Sequence, residues 1–142
     1  MESKIRHLEM IQGVITRMAG NLFLLKGWVV TLVAALLALL ASKDSNPKFI
    51  FIALIPILIF WLMDGYFLSQ ERMYRDLYND VARKKLNQID FSMDARKYNE
   101  DRNTWFRCLF SKTLTIFYGL LLLLFLAIIY INFNIKLTIT IG

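Results

Sequence analysis

The residues best suited to chemistry lie in positions 69–112, where ten of the chain's seventeen Lys and Arg residues stand beside seven acids. We call this stretch the basic segment. Aromatic residues are interleaved with its cations, at Tyr74, Tyr78, Phe91, Tyr98 and Trp105. Cations neutralise phosphates and aromatic rings stack on bases, so the segment has the side chains that bind single-stranded nucleic acid. The candidate ligand contacts are Arg83, Lys84, Lys85, Arg96, Lys97, Arg102 and Tyr78.

Membrane topology and lipid binding can each account for the same charges. Cytoplasmic loops of membrane proteins are rich in Lys and Arg whatever their function, and anionic lipid attracts a basic surface equally well. Ten cations less seven acids leave a net charge of +3, which makes a weak binding site in one copy. A symmetric homo-oligomer would multiply this charge around its axis and favour a polyanionic ligand.

The composition predicts an integral membrane protein. Of the 142 residues, 57% are hydrophobic and only 20% are charged, unlike an ordinary soluble domain. About 20 apolar residues cross the hydrocarbon core of a bilayer, and three segments meet this criterion: 22–41, 48–68 and 113–131. The first segment follows a 21-residue polar and amphipathic stretch and precedes no cleavage site, so we expect it to stay in the mature chain.

The distribution of Lys and Arg predicts the orientation, because these residues are retained in the cytoplasm. Residues 1–21 and the basic segment carry most of the cations. We therefore expect both in the cytoplasm, together with the N-terminus, and the C-terminus on the extracytoplasmic side of the membrane.

Two charged residues, Lys26 and Asp64, lie four residues inside the cytoplasmic ends of the first and second segments. At 1.5 Å per residue, both are roughly 6 Å below the inner surface. An ion pair between neighbouring helices is one interpretation, and snorkelling of each side chain to the interface is another. A pore-lining or gating role is the functional alternative.

Periodicity predicts the remaining elements. Apolar residues recur every three or four positions over residues 1–25, which indicates an amphipathic helix that forms either a coiled-coil seam or a helix on the membrane surface. Met73, Leu77 and Val81 predict a helical row in the basic segment. A second helix is expected over 95–111, capped by Asp94 or Ser92. Strict alternation over 132–141 predicts a strand.

The predicted fold class is an all-α membrane protein with three transmembrane helices, an N-terminal amphipathic helix, a helical cytosolic hairpin insert and a short C-terminal β-strand. The predicted divisions are 1–21 for the amphipathic helix, 22–68 for a transmembrane hairpin, 69–112 for the basic insert, 113–131 for the third transmembrane helix and 132–142 for the strand.

Catalytic chemistry is not indicated. The chain has one Cys and one His, so it lacks the residues for an intrachain disulfide or a Cys/His zinc site. It also lacks a glycine-rich phosphate loop, a nucleophile elbow and paired histidines. We expect a protein that is not an enzyme, with no catalytic residues, metal site or cofactor.

Four stretches carry a family resemblance: LEMIQGVITRMAGN at 8–21, FLLKGW at 23–28, WLMDGYFLSQER at 61–72 and IDFSMD at 89–94. They resemble a group of small bacterial inner-membrane proteins of uncharacterised type. The architecture with its basic insert also resembles the membrane effectors of bacterial anti-phage defence, such as the Hailong channel effectors. That resemblance implies an oligomeric channel controlled by single-stranded DNA or a nucleotide signal, which a nucleotidyltransferase partner makes.

Two functions from different classes follow. The first is an oligomeric inner-membrane channel or pore effector. Its basic insert binds a nucleotide or single-stranded oligonucleotide that opens or closes the pore, and ion conductance would reveal this activity. Lys26 and Asp64 would lie near its pore entrance. The alternative is a non-conducting membrane scaffold or accessory subunit that anchors a cytosolic partner. In both, the lipid bilayer is a partner of the chain.

Overall fold

The computed structural model describes residues 1–40, 51–52 and 54–141. Within them the chain forms four α-helices, which are α1 (Glu2–Leu40), α2 (Leu54–Arg83), α3 (Trp105–Leu109) and α4 (Lys112–Ile141). Three short 3-10 helices, Leu86–Gln88, Arg96–Tyr98 and Asp101–Asn103, lie between α2 and α3.

Helices α1 and α2 pack side by side and run in opposite directions. Near the start of α1, the Lys4 ammonium donates hydrogen bonds to the carbonyl oxygens of Ala82 (2.9 Å) and Lys84 (2.7 Å), at the end of α2. Further along α1, Lys26 lies 2.9 Å from Asp64. The two helices therefore form one long hairpin, and we call the end that contains Lys4 and Ala82 its head.

An apolar cluster holds the head together. Of the apolar stripe of α1, Ile11 and Ile15 pack against α2 of the same chain, whereas Met1 and Ile5 at its start are exposed. The predicted row Met73, Leu77 and Val81 is confirmed as the buried face of α2. The cluster consists of Ile11, Ile15, Met73, Leu77, Val81, Ile89 and Ala95.

A second apolar cluster lies beyond the ion pair and joins three helices. Its members are Val29, Val33, Ile57, Leu114, Tyr118, Leu121 and Phe125. Because α1, α2 and α4 all contribute, this cluster sets the position of α4 against the hairpin. Charged groups at the level of Lys26 and Asp64 separate it from the head.

Two helices are long and apolar enough to cross a membrane, Glu2–Leu39 and Lys112–Ile131. The prediction of three transmembrane helices is wrong, because α2 is not such a helix over its described residues. Its apolar residues give way to Asp64 and then to a polar run from Ser69. Residues 48–50 and 53 of the predicted second span lie outside the described part. The predicted first span is also not separate from the amphipathic helix, since α1 is continuous from Glu2.

The predicted C-terminal β-strand is also wrong. Helix α4 continues to Ile141, and the residues that the structure describes contain no strand. A lone strand leaves its backbone groups unpaired, whereas a helix satisfies them internally. Residues 120–141 contain neither Gly nor Pro to end the helix, so the helical hydrogen bonding prevails over the alternating pattern.

The predicted second helix of the basic segment is replaced by two 3-10 helices and the short α3. Asp101 has a positive φ of 46°, which a continuous α-helix does not allow. The prediction that Asp94 or Ser92 caps this helix is also wrong, because the N-cap of the 3-10 helix Arg96–Tyr98 is Ala95, which makes no side-chain cap. The Oδ1 of Asp94 instead accepts the backbone N–H of Arg96 at 2.9 Å.

Candidate functional site

The first candidate site is a buried carboxylate, Asp64, at the meeting point of three helices. Its Oδ2 lies 2.9 Å from the Lys26 ammonium of α1 and accepts a hydrogen bond of 2.8 Å from the Tyr118 hydroxyl of α4. The side chain of Asp64 is 0% exposed, and that of Lys26 is 24% exposed. We call these three residues the Asp64 network.

The network is not fully satisfied. Lys26 has further partners, a hydrogen bond of 3.3 Å to the carbonyl oxygen of Leu22 and the ring of Phe117 at 5.7 Å. The Oδ1 atom of Asp64 is buried and has no protein hydrogen-bond partner. Removing one member of a buried ion pair costs about 3–5 kcal/mol, because the other charge is left alone.

Helix α3 packs against α2 close to Asp64, and two hydrogen bonds from indole groups join the two helices. The indole of Trp61 donates to the carbonyl oxygen of Leu109 at 2.9 Å, and the indole of Trp105 donates to that of Leu62 at 3.0 Å. Trp61 also stacks on Tyr118, with centroids 5.9 Å apart. Two indoles on different helices therefore hold α2, α3 and α4 together beside the network.

The absence of a side chain at Gly65 allows this close packing. A Cβ atom at that position would lie 2.9 Å from Cγ of Leu109 and 3.3 Å from Cδ1 of Trp105. Real Cβ atoms rarely approach this closely, so glycine is required where α2 meets α3.

The sequence-based prediction of an ion pair between Lys26 and Asp64 is confirmed. The prediction that these residues line or gate a pore is not tested by this geometry and stays a prediction. Tyr118 was missed by sequence reasoning. The sequence feature that could have identified Tyr118 is its phenol group within an apolar stretch, because a buried Tyr hydroxyl normally requires a hydrogen-bond partner.

In the basic segment, Asp80 gathers three of the polar side chains. It accepts hydrogen bonds from Lys84 at 2.7 Å and from the Tyr98 hydroxyl at 2.6 Å, and Lys97 lies 3.5 Å away. The hydrogen bonds from Lys84 and Tyr98 lower the pKa of Asp80 to about 2. Burial and the bond to Asp80 raise the pKa of Tyr98.

Two more predicted contacts are paired with acids. Arg96 lies 2.7 Å from Asp94, and its hydrogen bonds lower the pKa of that carboxyl to about 2. Arg102 lies 3.4 Å from Asp76, which is one helical turn before Asp80 on the same face of α2. Four of the six predicted cations, Lys84, Arg96, Lys97 and Arg102, therefore face a carboxylate.

The remaining predicted contacts differ from these four. Arg83 and Lys85 are exposed and form no ion pair with an acid of the described chain. They stand at the head, where Lys4 contacts the end of α2. Tyr78 is half-buried against the apolar cluster of the head, so its ring packs in the fold rather than standing free for a base. The seven residues therefore do not converge on one site.

A separate cleft opens on the basic segment, with a volume of about 370 Å³. Within it Asn103 is 3% exposed, and its Nδ2 donates to Oδ2 of Asp76 at 2.6 Å and to the carbonyl oxygen of Tyr98 at 3.0 Å. Its Oδ1 has no protein partner, and an unpaired buried acceptor costs about 1–3 kcal/mol. The cleft is lined by Asp76, Lys97, Tyr98, Glu100, Asp101, Arg102, Asn103 and Arg107.

The single cysteine, Cys108, is buried in α3. Burial raises the pKa of its thiol, against the opposing effect of Arg72, whose Nη1 lies 3.7 Å from the sulfur. A thiol in such surroundings is unreactive. Over the described residues, no group of three or more His, Cys, Asp or Glu side chains is placed to hold a metal ion.

No known family model matches the chain, and neither a curated protein nor a solved structure matches it. The resemblance to small bacterial membrane proteins and to anti-phage effectors therefore stays a prediction.

Proposed function

We propose that the chain is the subunit of an oligomeric membrane channel whose conductance is set by an anionic ligand, a nucleotide or a single-stranded oligonucleotide, bound at the basic segment. The positive-inside tendency supports a cytoplasmic position for the basic segment and the N-terminus, and the resemblance to bacterial membrane proteins suggests the inner membrane. The resemblance to defence effectors suggests the setting, in which a nucleotidyltransferase would make the ligand after phage infection.

One observation carries the proposal: the same two helices contain the head and the Asp64 network. Helix α1 contains Lys4 and Lys26, and α2 contains Arg83 and Asp64, without a break in either helix. A ligand that shifts α1 along α2 at the head would therefore also shift Lys26 against Asp64. A buried ion pair has few alternative geometries of similar energy, which makes it a suitable two-state element for a gate.

The outer face of α1 supports self-association. Gly13, Gly20 and Gly27 follow one another at intervals of seven residues, and nothing lies within 4 Å of a Cβ built at any of them. Small residues at heptad spacing allow a second helix to approach closely in a left-handed pair. The partner is α1 of a second copy, because that helix has the same length and also runs from the head into the membrane.

The exposed cations at the head support an anionic ligand. Arg83 and Lys85 have no acid to neutralise them among the described residues, and Lys4 adds a third positive charge nearby. Around the axis of an oligomer, these charges would form a ring that attracts a polyanion.

The test is reconstitution of the purified protein in liposomes loaded with potassium, with release followed after a short single-stranded oligodeoxynucleotide is added. The proposal expects release that differs between liposomes with and without the oligonucleotide. Double-stranded DNA of the same length serves as the matched polyanion, and the variant carrying Arg83→Gln and Lys85→Gln should respond less than wild type. No release in any of these conditions would contradict the proposal.

The second candidate function is a non-conducting scaffold that anchors a cytosolic protein. The pairing of Lys84, Lys97 and Arg102 with Asp80 and Asp76 favours it, because the segment is then a folded mixed-charge surface with less charge to spare for phosphates. A stoichiometric partner that co-purifies with the chain, together with liposomes that stay sealed, would favour the scaffold.

A further inference from the structure

We propose that the cleft around Asn103 recognises one nucleoside phosphate unit of the ligand, in addition to the attraction that the head cations exert on it. The unit is either a free nucleotide or the terminal residue of an oligonucleotide. This inference rests on the proposed function in its choice of ligand, and it adds a second set of contacts, made by different residues, to those of the head.

The cleft offers positive charge for the phosphate. Arg107 is exposed and forms no ion pair with an acid of the described chain, and its guanidinium group suits two oxygens of one phosphate. Lys97 and Arg102 line the same cleft. Their ion pairs, 3.5 Å to Asp80 and 3.4 Å to Asp76, are longer than a short charge-assisted hydrogen bond, so a phosphate can share both cations.

The same cleft also offers acceptors, which a site for phosphate alone would not need. Glu100 and Asp101 are exposed on its wall and form no ion pair among the described residues. Carboxylates accept hydrogen bonds from the amino groups of nucleobases. A ligand for this cleft should therefore be an anion that also carries N–H donors.

Asn103 provides the independent observation that points to a ligand. Both hydrogen-bonding directions of its amide nitrogen are used, by Asp76 and by the carbonyl oxygen of Tyr98. Its Oδ1 is the group without a partner, in a side chain that forms part of the cleft wall. Buried polar atoms are nearly always paired. Because Oδ1 is itself buried, a donor from the ligand, or a water molecule between the two, would complete this amide after a small shift of the cleft wall.

The size of the cleft distinguishes among ligands that carry both an anionic group and N–H donors. The cleft volume of about 370 Å³ falls in the range of small-molecule sites, about 300–1,000 Å³. An amino acid carries both charges but would leave most of this space empty. A nucleoside phosphate fills more of it and carries both a phosphate for Arg107 and base N–H donors for the carboxylates of the cleft wall.

The experiment measures binding by calorimetry to the full chain in nanodiscs. The probes are adenosine, guanosine, cytidine and uridine monophosphates, the unphosphorylated nucleosides, free arginine and a short homo-oligonucleotide. Three variants are compared: Arg107→Gln and Glu100→Gln in the cleft, and Lys112→Gln as an exposed cation outside it. All three positions are exposed, and a thermal melt of each variant checks that the fold is kept.

We expect Arg107→Gln to weaken binding at least about tenfold, as the loss of a charge-assisted hydrogen bond does, and Lys112→Gln to leave it unchanged. Glu100→Gln should reduce the preference for bases with amino groups over uracil. Equal binding of nucleosides, or of arginine, would overturn the phosphate assignment. If only the oligonucleotide binds, the natural ligand is a polynucleotide rather than a free nucleotide.

The two proposals fail in different ways. If Arg83→Gln with Lys85→Gln abolishes binding while Arg107→Gln does not, the ligand binds the head and the cleft assignment is wrong, although the channel proposal stands. If no probe binds while liposomes still release potassium, the cleft assignment also falls. If probes bind at the cleft and no liposome ever leaks, the channel proposal falls and the cleft assignment stands.

Discussion

The hydroxyl of Tyr118 donates a hydrogen bond of 2.8 Å to Oδ2 of Asp64, the same oxygen that the Lys26 ammonium approaches. One carboxylate oxygen thus joins α4 to both helices of the hairpin. In a region of low dielectric constant, such a bond is stronger than at a wet surface, and its loss removes one of the two donors to Oδ2. The network is therefore where the position of α4 should be most sensitive to substitution.

Tyr118→Phe should lower the free energy of unfolding by about 1.5–3 kcal/mol, because it removes one hydrogen bond to a charged group. The measurement is denaturant unfolding in detergent, followed by circular dichroism. Tyr130→Phe is the matched control, since Tyr130 is on the same helix and exposed. In an Asp64→Leu background, Tyr118→Phe should cost less. An equal cost in both backgrounds would contradict a stabilising role for this bond.

Gly65→Ala should destabilise the protein by about 1–3 kcal/mol, because the new methyl group overlaps the side chain of Leu109. Leu109→Ala should recover part of that loss when combined with it, and thermal melting of the two single variants and the double variant measures the coupling. Gly119→Ala is the control, since nothing lies within 4 Å of its Cβ. If the double variant is no more stable than the sum of the two losses predicts, the contact is not the cause.

Stability should fall in acid as Asp80 becomes protonated. Its pKa lies at about 2, below the ordinary value of 3.8, so the stabilisation is present above pH 4 and is lost as the pH falls towards about 2. Asp80→Asn should flatten the dependence of the melting temperature on pH in this window, but not abolish it, because Asp94 titrates there too. Glu9→Gln is the control, since Glu9 is exposed. Identical pH profiles for Asp80→Asn and wild type would refute the assignment.

Self-association should depend on the glycines of α1. Gly20→Leu puts a large side chain on a surface with room in the monomer, so it should fold normally and yet block close approach of a second copy. Chemical crosslinking and light scattering in detergent measure the subunit number. Gly119→Leu, equally open but on α4, should leave that number unchanged. A wild-type subunit number in Gly20→Leu would place the interface elsewhere.

The parts predicted well from sequence are those that helical geometry determines. Counting residues from the ends of two apolar stretches gave Lys26 and Asp64 the same depth, and the structure pairs them. The spacing of Met73 and Leu77 likewise identified a buried face. Each inference used one helix or two adjacent ones, where 1.5 Å per residue suffices.

The parts predicted poorly depend on contacts between distant residues or on competition between local patterns. Tyr118 is 54 residues from Asp64, and no spacing rule connects them. Asp101, in the wall of the cleft, has a positive φ, which residue type alone does not reveal. The alternation over 132–141 suggested a strand, but it contains no helix breaker, and the chain extended α4 instead.

The most direct test of the central claim is current recording across a planar bilayer that contains the full chain, with a single-stranded oligonucleotide added to one side at a time. The account predicts that the current changes when the oligonucleotide is on the side of the basic segment, stays constant when it is on the other side, and responds less in the variant with Arg83→Gln and Lys85→Gln. A bilayer that carries no protein-dependent current, with oligonucleotide on either side or on neither, would contradict it.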